Sequence, residues 1–472
     1  MEKGDNTMEE QQRNQRQPNP RRKKKTQIEI FKEVYLPAII ACTTLILILV
    51  FIIGSIVHAI QRNQFTEQLN QQASIAEEHR QALQRQEAEQ LLAEADILSQ
   101  HYDYDGAIAL LDSFSGDSSK FPQLAEKRLE YSNAKNALVL WENPHHVLNL
   151  SFQLLIADPA RAFSDSTYGT SYNRNFITTD EFSRILQQLY ENDYILISLS
   201  DLMADGQVKD LYLPENKKPV ILTQTQVNYY TYMTDSDGDK LPDANGDGFA
   251  SKLIIDSNGN LTCEMVDASG QTVTGSYDMI PILDAFVTTH PDFSYKGAKA
   301  VLAVTGYDGL FGYRTNANAT SFDLSEQRAL AMSVVEKLRS TGYELACYTY
   351  ENKAYGSITA DKIQSDLNMW RAEVAPILGN VDTLVFARNS DIASASTAYS
   401  GDKYDILHAF GFKNYLGFCT NGKPWLSLEN TCIRQGRLMV TGSNLAHKAS
   451  WFDGIFDPTS VLDTESRGTI PS

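Results

Sequence analysis

The chain has 472 residues, 42% of them hydrophobic and 21% charged, enough apolar content for two or three domains and a large core. Its formal net charge of -18 argues against nucleic acid or other polyanions as partners, because phosphate recognition needs the opposite sign. Five cysteines with no CxxC spacing argue against a zinc site or a disulfide scaffold.

Residues 1–34 carry nine Lys or Arg against six Asp or Glu and are rich in Gln, Asn and Pro, the composition of a disordered basic tail. Residues 35–60 follow as a membrane span. The run LPAIIACTTLILILVFIIGSIVHAI, residues 36–60, holds no charged residue over about the length a helix needs to cross a bilayer. A secretory signal has a shorter apolar core and a small-residue cleavage site. The cluster Arg21, Arg22, Lys23, Lys24 and Lys25 precedes the span, so the positive-inside rule keeps the N-terminus cytoplasmic and the rest extracellular, on a single-pass anchor in the plasma membrane.

Residues 61–98 have high helix propensity and no Gly or Pro, which predicts a helical stalk. Its apolar positions are sparse for a heptad seam, and self-association or a partner protein is one use for it. Residues 99–140 form a hairpin or spacer. AEADILSQHYDYDGAIALLDSF (93–114) reads as helix, turn around Asp103–Gly106, and helix, like half of a tetratricopeptide unit.

From residue 141 to 465 the pattern alternates. Strand candidates are VLNLSF (147–152), YILISL (194–199), PVILT (219–223), AVLAVTG (300–306), ELACYTY (344–350), TLVFA (383–387), NYLGF (414–418) and RLMVTG (437–442). Helical patterns lie between them, among them 179–193, with Thr179 as N-cap, and 324–342, with Gly342 as C-cap glycine. Such alternation predicts an α/β fold with a parallel sheet, and seven or eight units suit closure into a barrel whose site lies at the C-terminal strand ends.

Between the third strand and the next helix lies TDSDGDKLPDANGDGFA, residues 234–250. Asp235, Asp237, Asp239, Asp243, Asn245 and Asp247 alternate along a Gly-punctuated loop, so that several hard oxygens can converge on one Ca²⁺. No Glu stands at a twelfth position, so the match to an EF-hand is partial, and DSDGDKLPD looks more like a thrombospondin type 3 repeat. The calcium role expected is structural.

The order of FITTDEFSRILQQLYENDYILISLSDL (176–202), KKPVILTQTQVNYY (217–230), DMIPILDAFVTTHPDFSYKGAKAVLAVTGYDGLFGYRT (278–315) and GYELACYTYENKAYG (342–356) resembles the polysaccharide deacetylase family. This is the NodB-homology fold of carbohydrate esterase family 4, in its membrane-anchored Gram-positive form. The resemblance implies a distorted (β/α) barrel that removes acetyl groups from glycans with a divalent metal. In the family, the third strand ends in an Asp-Asp pair, one the general base and the other a metal ligand. Two further ligands are histidines of a second motif. Here the Asp-Asp places hold Thr225 and Gln226, and the places nearest the histidines hold Tyr348 and Asn352. The region of the third motif, VFARNSD (385–391), has neither its proline nor its glycine.

Two hydroxyls and two amides can neither take a proton from water near neutral pH nor replace imidazole and carboxylate on a zinc-like ion. The chain therefore reads as a pseudoenzyme, without the family's transition metal, that binds or scaffolds cell-envelope polysaccharide. Tyr229, Tyr230, Tyr307, Tyr313 and Arg314 near strand ends are the candidate sugar contacts. Two alternatives stay open. One is an active metal-dependent deacetylase with rearranged ligands, in which Asp308 in GYDGLFGYR is the best-placed carboxylate. The other is a stalk-mediated partner of an active homologue. The eight histidines are scattered, and Cys347 has no evident His partner. Cys419 and Cys432 can form a disulfide if their strands adjoin.

Overall fold

The computed structural model describes residues 26–204, 207–429 and 432–472, so most of the basic tail lies outside the described residues. Two compact units divide the chain at Arg85 and Gln86. In the first, residues 27–35 are already helical, where composition alone pointed to disorder, and they lead into α1, Leu36–Gln100. This is the one described helix long and apolar enough to cross a membrane. The apolar run and the segment expected as a stalk thus lie in one helix; Pro37 sits in its first turn, where a missing N–H is tolerated, and no proline follows it up to Gln100.

The second unit begins with the last turns of α1. Ala88 and Ala95 are fully buried there against α2 (Tyr104–Asp112) and α3 (Pro122–Asn136). The expected hairpin is therefore a three-helix packing. Asp103 caps α2 by accepting from the Gly106 N–H at 3.0 Å. The turn between α1 and α2 docks on the barrel, where the Lys296 N–H donates to the His101 carbonyl at 2.6 Å.

Seven parallel strands close the barrel: β1 (Leu148–Phe152), β2 (Lys218–Thr225), β3 (Ala300–Val304), β4 (Glu344–Cys347), β5 (Thr383–Val385), β6 (Asn414–Phe418) and β7 (Cys432–Met439). Each pairs with the next, and β7 returns to β1 through Leu438↔Leu150. The segment YILISL contributes only Tyr194–Leu196, which pairs with the start of β2 outside the ring. Strict alternation builds two cores. Ile221, Val301, Ala346, Val385, Leu416 and Ile433 fill the interior, while Leu150, Leu222, Leu302, Leu345, Leu384 and Leu438 face the surrounding helices.

Those helices include α4 (Thr179–Glu191), α5 (Met279–Thr289), α6 (Leu324–Ser340), α7 (Ala360–Glu373) and α8 (Asp402–Phe410). The N-cap of α4 is Thr178 rather than Thr179. Its hydroxyl accepts from the Glu181 N–H at 3.1 Å while Glu181 accepts from the Thr178 N–H at 2.8 Å, a reciprocal capping box. Gly342 ends α6 at φ 96°, and the Tyr343 N–H reaches back to the Leu338 carbonyl, a Schellman closure that a side chain at Gly342 would strain.

Between β2 and α5 the sequence reading missed a three-stranded antiparallel sheet, Lys252–Ile255, Leu261–Val266 and Thr272–Gly275. Its signal is visible afterwards in the alternating burial of LTCEMV and the Asp-to-Gly turns at 256–259 and 267–270. Cys419 directly follows β6 and Cys432 opens the adjoining β7, but the register Asn414↔Ile433 and Phe418↔Arg437 puts them at opposite ends, roughly 20 Å apart at the strand rise. A bridge would need Cα atoms within about 7 Å.

Candidate functional site at the barrel mouth

Much of the backbone strain among the described residues lies at the C-terminal ends of β2–β5. Gln226, Tyr229, Asp308, Phe311, Thr349, Asn352, Arg388 and Asn389 all hold positive φ in the loops that follow β2, β3, β4 and β5. Such conformations cost of order 1 kcal/mol or more each and persist only where surrounding contacts fix them. Asp366 on α7 supplies that fixation for the loop after β4. It is buried and accepts from the Tyr350 N–H at 2.7 Å, the Glu351 N–H at 3.1 Å and the Tyr355 hydroxyl at 2.8 Å.

Thr225, Gln226, Tyr348 and Asn352, the places that the resemblance assigns to base and ligands, lie at this end. Thr225 points inward and donates to the Phe152 carbonyl at 3.2 Å. Half-buried Gln226 approaches the Gln153 side chain at 3.4 Å. Tyr348 is buried in the interior, and its pKa is pushed up by burial against the opposing pull of the Arg437 and Arg388 charges. The Asn352 carbonyl oxygen is buried without a partner.

Below them the barrel holds a polar column that composition did not announce. Thr223 donates to Asn149 at 2.9 Å, Asn149 donates to Gln435 at 2.9 Å, and Gln435 donates to the Val147 carbonyl at 2.9 Å. Above that column sits Arg437, fully buried. It is held by the Gly417 carbonyl at 2.8 Å, the Ser151 hydroxyl at 2.8 Å and the Phe386 carbonyl at 3.2 Å, all neutral acceptors. The residues present therefore do not fit a zinc-like ion. They offer hydroxyls and amides as donors, and a fixed guanidinium stands in the interior where a dication would meet like charge.

Asp308 makes two hydrogen bonds to Thr231, from its N–H at 2.6 Å and its hydroxyl at 3.0 Å, and faces Arg314 at 3.4 Å. Of the sugar-contact candidates, Tyr229 is buried and donates to Asp278 at 2.7 Å, and Tyr313 is buried as well. Arg314 is buried and spends its guanidinium on the Asp308 and Tyr229 carbonyls at 2.6 and 3.0 Å. Buried Tyr230 pairs with the Thr305 hydroxyl at 3.0 Å, and Tyr307 alone of the five is well exposed, at 58%.

Two tyrosines that sequence reasoning passed over complete the surface. Tyr168 follows β1 and Tyr232 follows β2, and they are 41% and 45% exposed. Ring centroids run Tyr307 to Tyr230 at 6.0 Å, Tyr230 to Tyr232 at 5.8 Å, Tyr232 to Tyr168 at 5.4 Å and Tyr168 to Tyr172 at 5.8 Å. Beside the last rings opens a cleft of about 310 Å³ lined also by Gln153 and Asn175. Larger clefts, of about 670 and 1200 Å³, lie at the opposite end of the barrel beside Arg339 and Gly342, away from the strand ends that carry the loops.

Asp391, in VFARNSD, is a further rim carboxylate that the sequence reading passed over. Burial raises its pKa, against the hydrogen bond it accepts from the Tyr399 hydroxyl at 2.8 Å. Asp235, Asp237 and Asp239 bring ligand oxygens within 4.8 Å of one another, the one such group among the described residues. Asp243 instead accepts from the Ser236 N–H at 2.7 Å, and its carboxylate takes the Asn245 N–H at 2.7 Å. Asp247 turns inward to the Tyr172 hydroxyl at 2.5 Å. Three converging carboxylates suit Ca²⁺ in chemistry.

Neither a protein-family model nor a curated protein matches the chain. Among solved structures it is similar to the Streptococcus pyogenes deacetylase PplD in complex with acetate, at 14% identity over 65% of this chain and 95% of that one, with a TM-score of 0.36.

Proposed function

We propose that this protein is a membrane-anchored glycan-binding pseudoenzyme built on a deacetylase-type barrel. On this reading α1 crosses the plasma membrane once, its N-terminus is cytoplasmic and the barrel is extracellular, facing cell-envelope polysaccharide. The observation that carries the reading is the barrel mouth. Thr225, Gln226, Tyr348 and Asn352 offer neither a base nor a metal ligand set, and Arg437 supplies a fixed buried cation beneath them. The exposed tyrosines at the same end remain able to pack on sugar C–H faces. In this reading Ca²⁺ is held by Asp235, Asp237 and Asp239 and keeps the acidic loop ordered.

The test is elemental analysis of the full chain in detergent after exposure to zinc, cobalt, manganese and calcium, with acetate release from an N-acetylglucosamine pentamer measured alongside. Calcium at about one per chain, lost in Asp237→Asn, with no stoichiometric transition metal and no acetate released, is the expected result. A bound transition metal together with acetate release would overturn the pseudoenzyme and favour rearranged ligands around Asp308 or Asp391.

A further inference from the structure

The exposed rings do not stand in a neutral setting. Asp165 adjoins Tyr168 and accepts the Thr167 N–H at 2.9 Å, and Asp165 and Asp247 both act electrostatically on Tyr172, Asp247 on Tyr232 as well. Asp308 lies close enough to act on Tyr230. The acidic loop of Asp235, Asp237 and Asp239 starts three residues beyond Tyr232. Two cations near the strip are already engaged. Arg161 pairs with Asp158 at 2.9 Å, and Arg314 is buried against Asp308. A tyrosine face is itself the negative pole of a quadrupole and attracts ammonium groups as well as C–H bonds.

We propose that the exposed rings of Tyr307, Tyr232 and Tyr168, bridged by buried Tyr230, with the adjoining cleft at Gln153 and Asn175, bind an amino-sugar polysaccharide in its de-N-acetylated, cationic form. The proposal rests on the glycan-binding reading above and adds its charge selectivity. Three exposed rings, with buried Tyr230 packed between Tyr307 and Tyr232, match an extended chain rather than a single sugar, while the carboxylates at the Tyr168 end take the free ammonium groups. An N-acetylated chain keeps the stacking and loses the ion pairs. A polyuronate meets repulsion, reinforced by the formal net charge of -18. A chain with this preference would hold the product of a deacetylase rather than its substrate, which fits a barrel mouth with no base and no metal ligands.

The experiment is calorimetric titration of the full chain in detergent, with calcium present, using three probes: a glucosamine pentamer, an N-acetylglucosamine pentamer and a galacturonate pentamer. The expected result is tightest binding of the glucosamine pentamer, by about ten-fold over the N-acetylated one, weakening as salt rises. Tyr232→Ala and Tyr307→Ala should each reduce it about ten-fold, and Asp165→Asn should narrow the preference without changing the N-acetylated affinity. Unchanged melting temperatures separate these losses from unfolding, and Tyr307, the most exposed ring, serves if Tyr232→Ala is unstable. Equal or tighter binding of the N-acetylated or the galacturonate pentamer overturns the charge selectivity and leaves the glycan reading standing. Failure of all three probes to bind overturns both.

Discussion

Arg467→Ala is expected to destabilise the second unit by about 3–5 kcal/mol, the loss typical of a buried ion pair left with one member. Arg467 sits in the short C-terminal helix Thr464–Arg467 and Glu181 in the first turn of α4, and both side chains are 0% exposed. The guanidinium grips both carboxylate oxygens, at 2.6 and 2.5 Å, and adds the Asn173 and Phe176 carbonyls at 3.0 Å each. Glu181 meanwhile closes the capping box with Thr178 and accepts the Asp463 N–H at 2.9 Å. Truncating the arginine strands a carboxylate in the core and unlatches the C-terminus. Urea unfolding of the full chain in detergent, followed by tryptophan fluorescence, reads the effect. The double variant Arg467→Met with Glu181→Leu should lose much less than the sum of the two single changes, because no charge is then buried alone. Additive losses would show that the pair contributes through packing alone.

The second large effect is a dependence of stability on pH that traces to Glu344. This residue begins β4, accepts from the Leu199 N–H at 2.9 Å and the Ser200 N–H at 3.3 Å, and has its pKa raised to about 7, first by burial and further by the charges of Asp201 and Asp382. In the unfolded chain it titrates near 4.5. Between those values the folded state holds a proton that the unfolded state has released, so stability falls as pH rises from 4.5 toward 7 and levels off above it. At about 1.4 kcal/mol per unit, and discounted for the clefts that bring solvent to its edge, the loss is on the order of 2 kcal/mol. Asp201, raised by burial at the same end and pulled back by Lys296 and Lys209, adds a smaller slope of the same sign. Glu344→Gln should flatten the unfolding free energy between pH 4.5 and 7 by nearly one proton. A variant with the wild-type slope would place the titration elsewhere.

Much of the architecture was written locally. The uncharged run at 36–60 and the basic cluster before it define a membrane-length helix whatever the rest of the chain does, because desolvation of a helix depends on its own side chains. The apolar cores of β1 to β6 were legible as short β-branched runs between turns, and Gly342 as a helix stop. The strand-end residues Thr225, Gln226, Tyr348 and Asn352 were readable as chemically neutral from their identities alone.

What sequence could not decide is which side of each strand or loop a residue faces once the ring closes. Arg437 belongs to a run that alternates like its neighbours, yet closure of β7 onto β1 turns it into the interior, where the Ser151 hydroxyl and the Gly417 carbonyl hold it. Tyr229 and Tyr230 are adjacent, and so is Tyr232 to within two residues. A positive φ at Tyr229 and the hydrogen bond to Asp278 bury the first, while Tyr232 stays on the surface. Tyr168 reaches the same strip from the far side of β1, a proximity fixed only by the β1–β2 register Leu148↔Val220. Residue identity sets the chemistry available to the site, and long-range strand pairing, which carries no local signature, sets which of those groups meet.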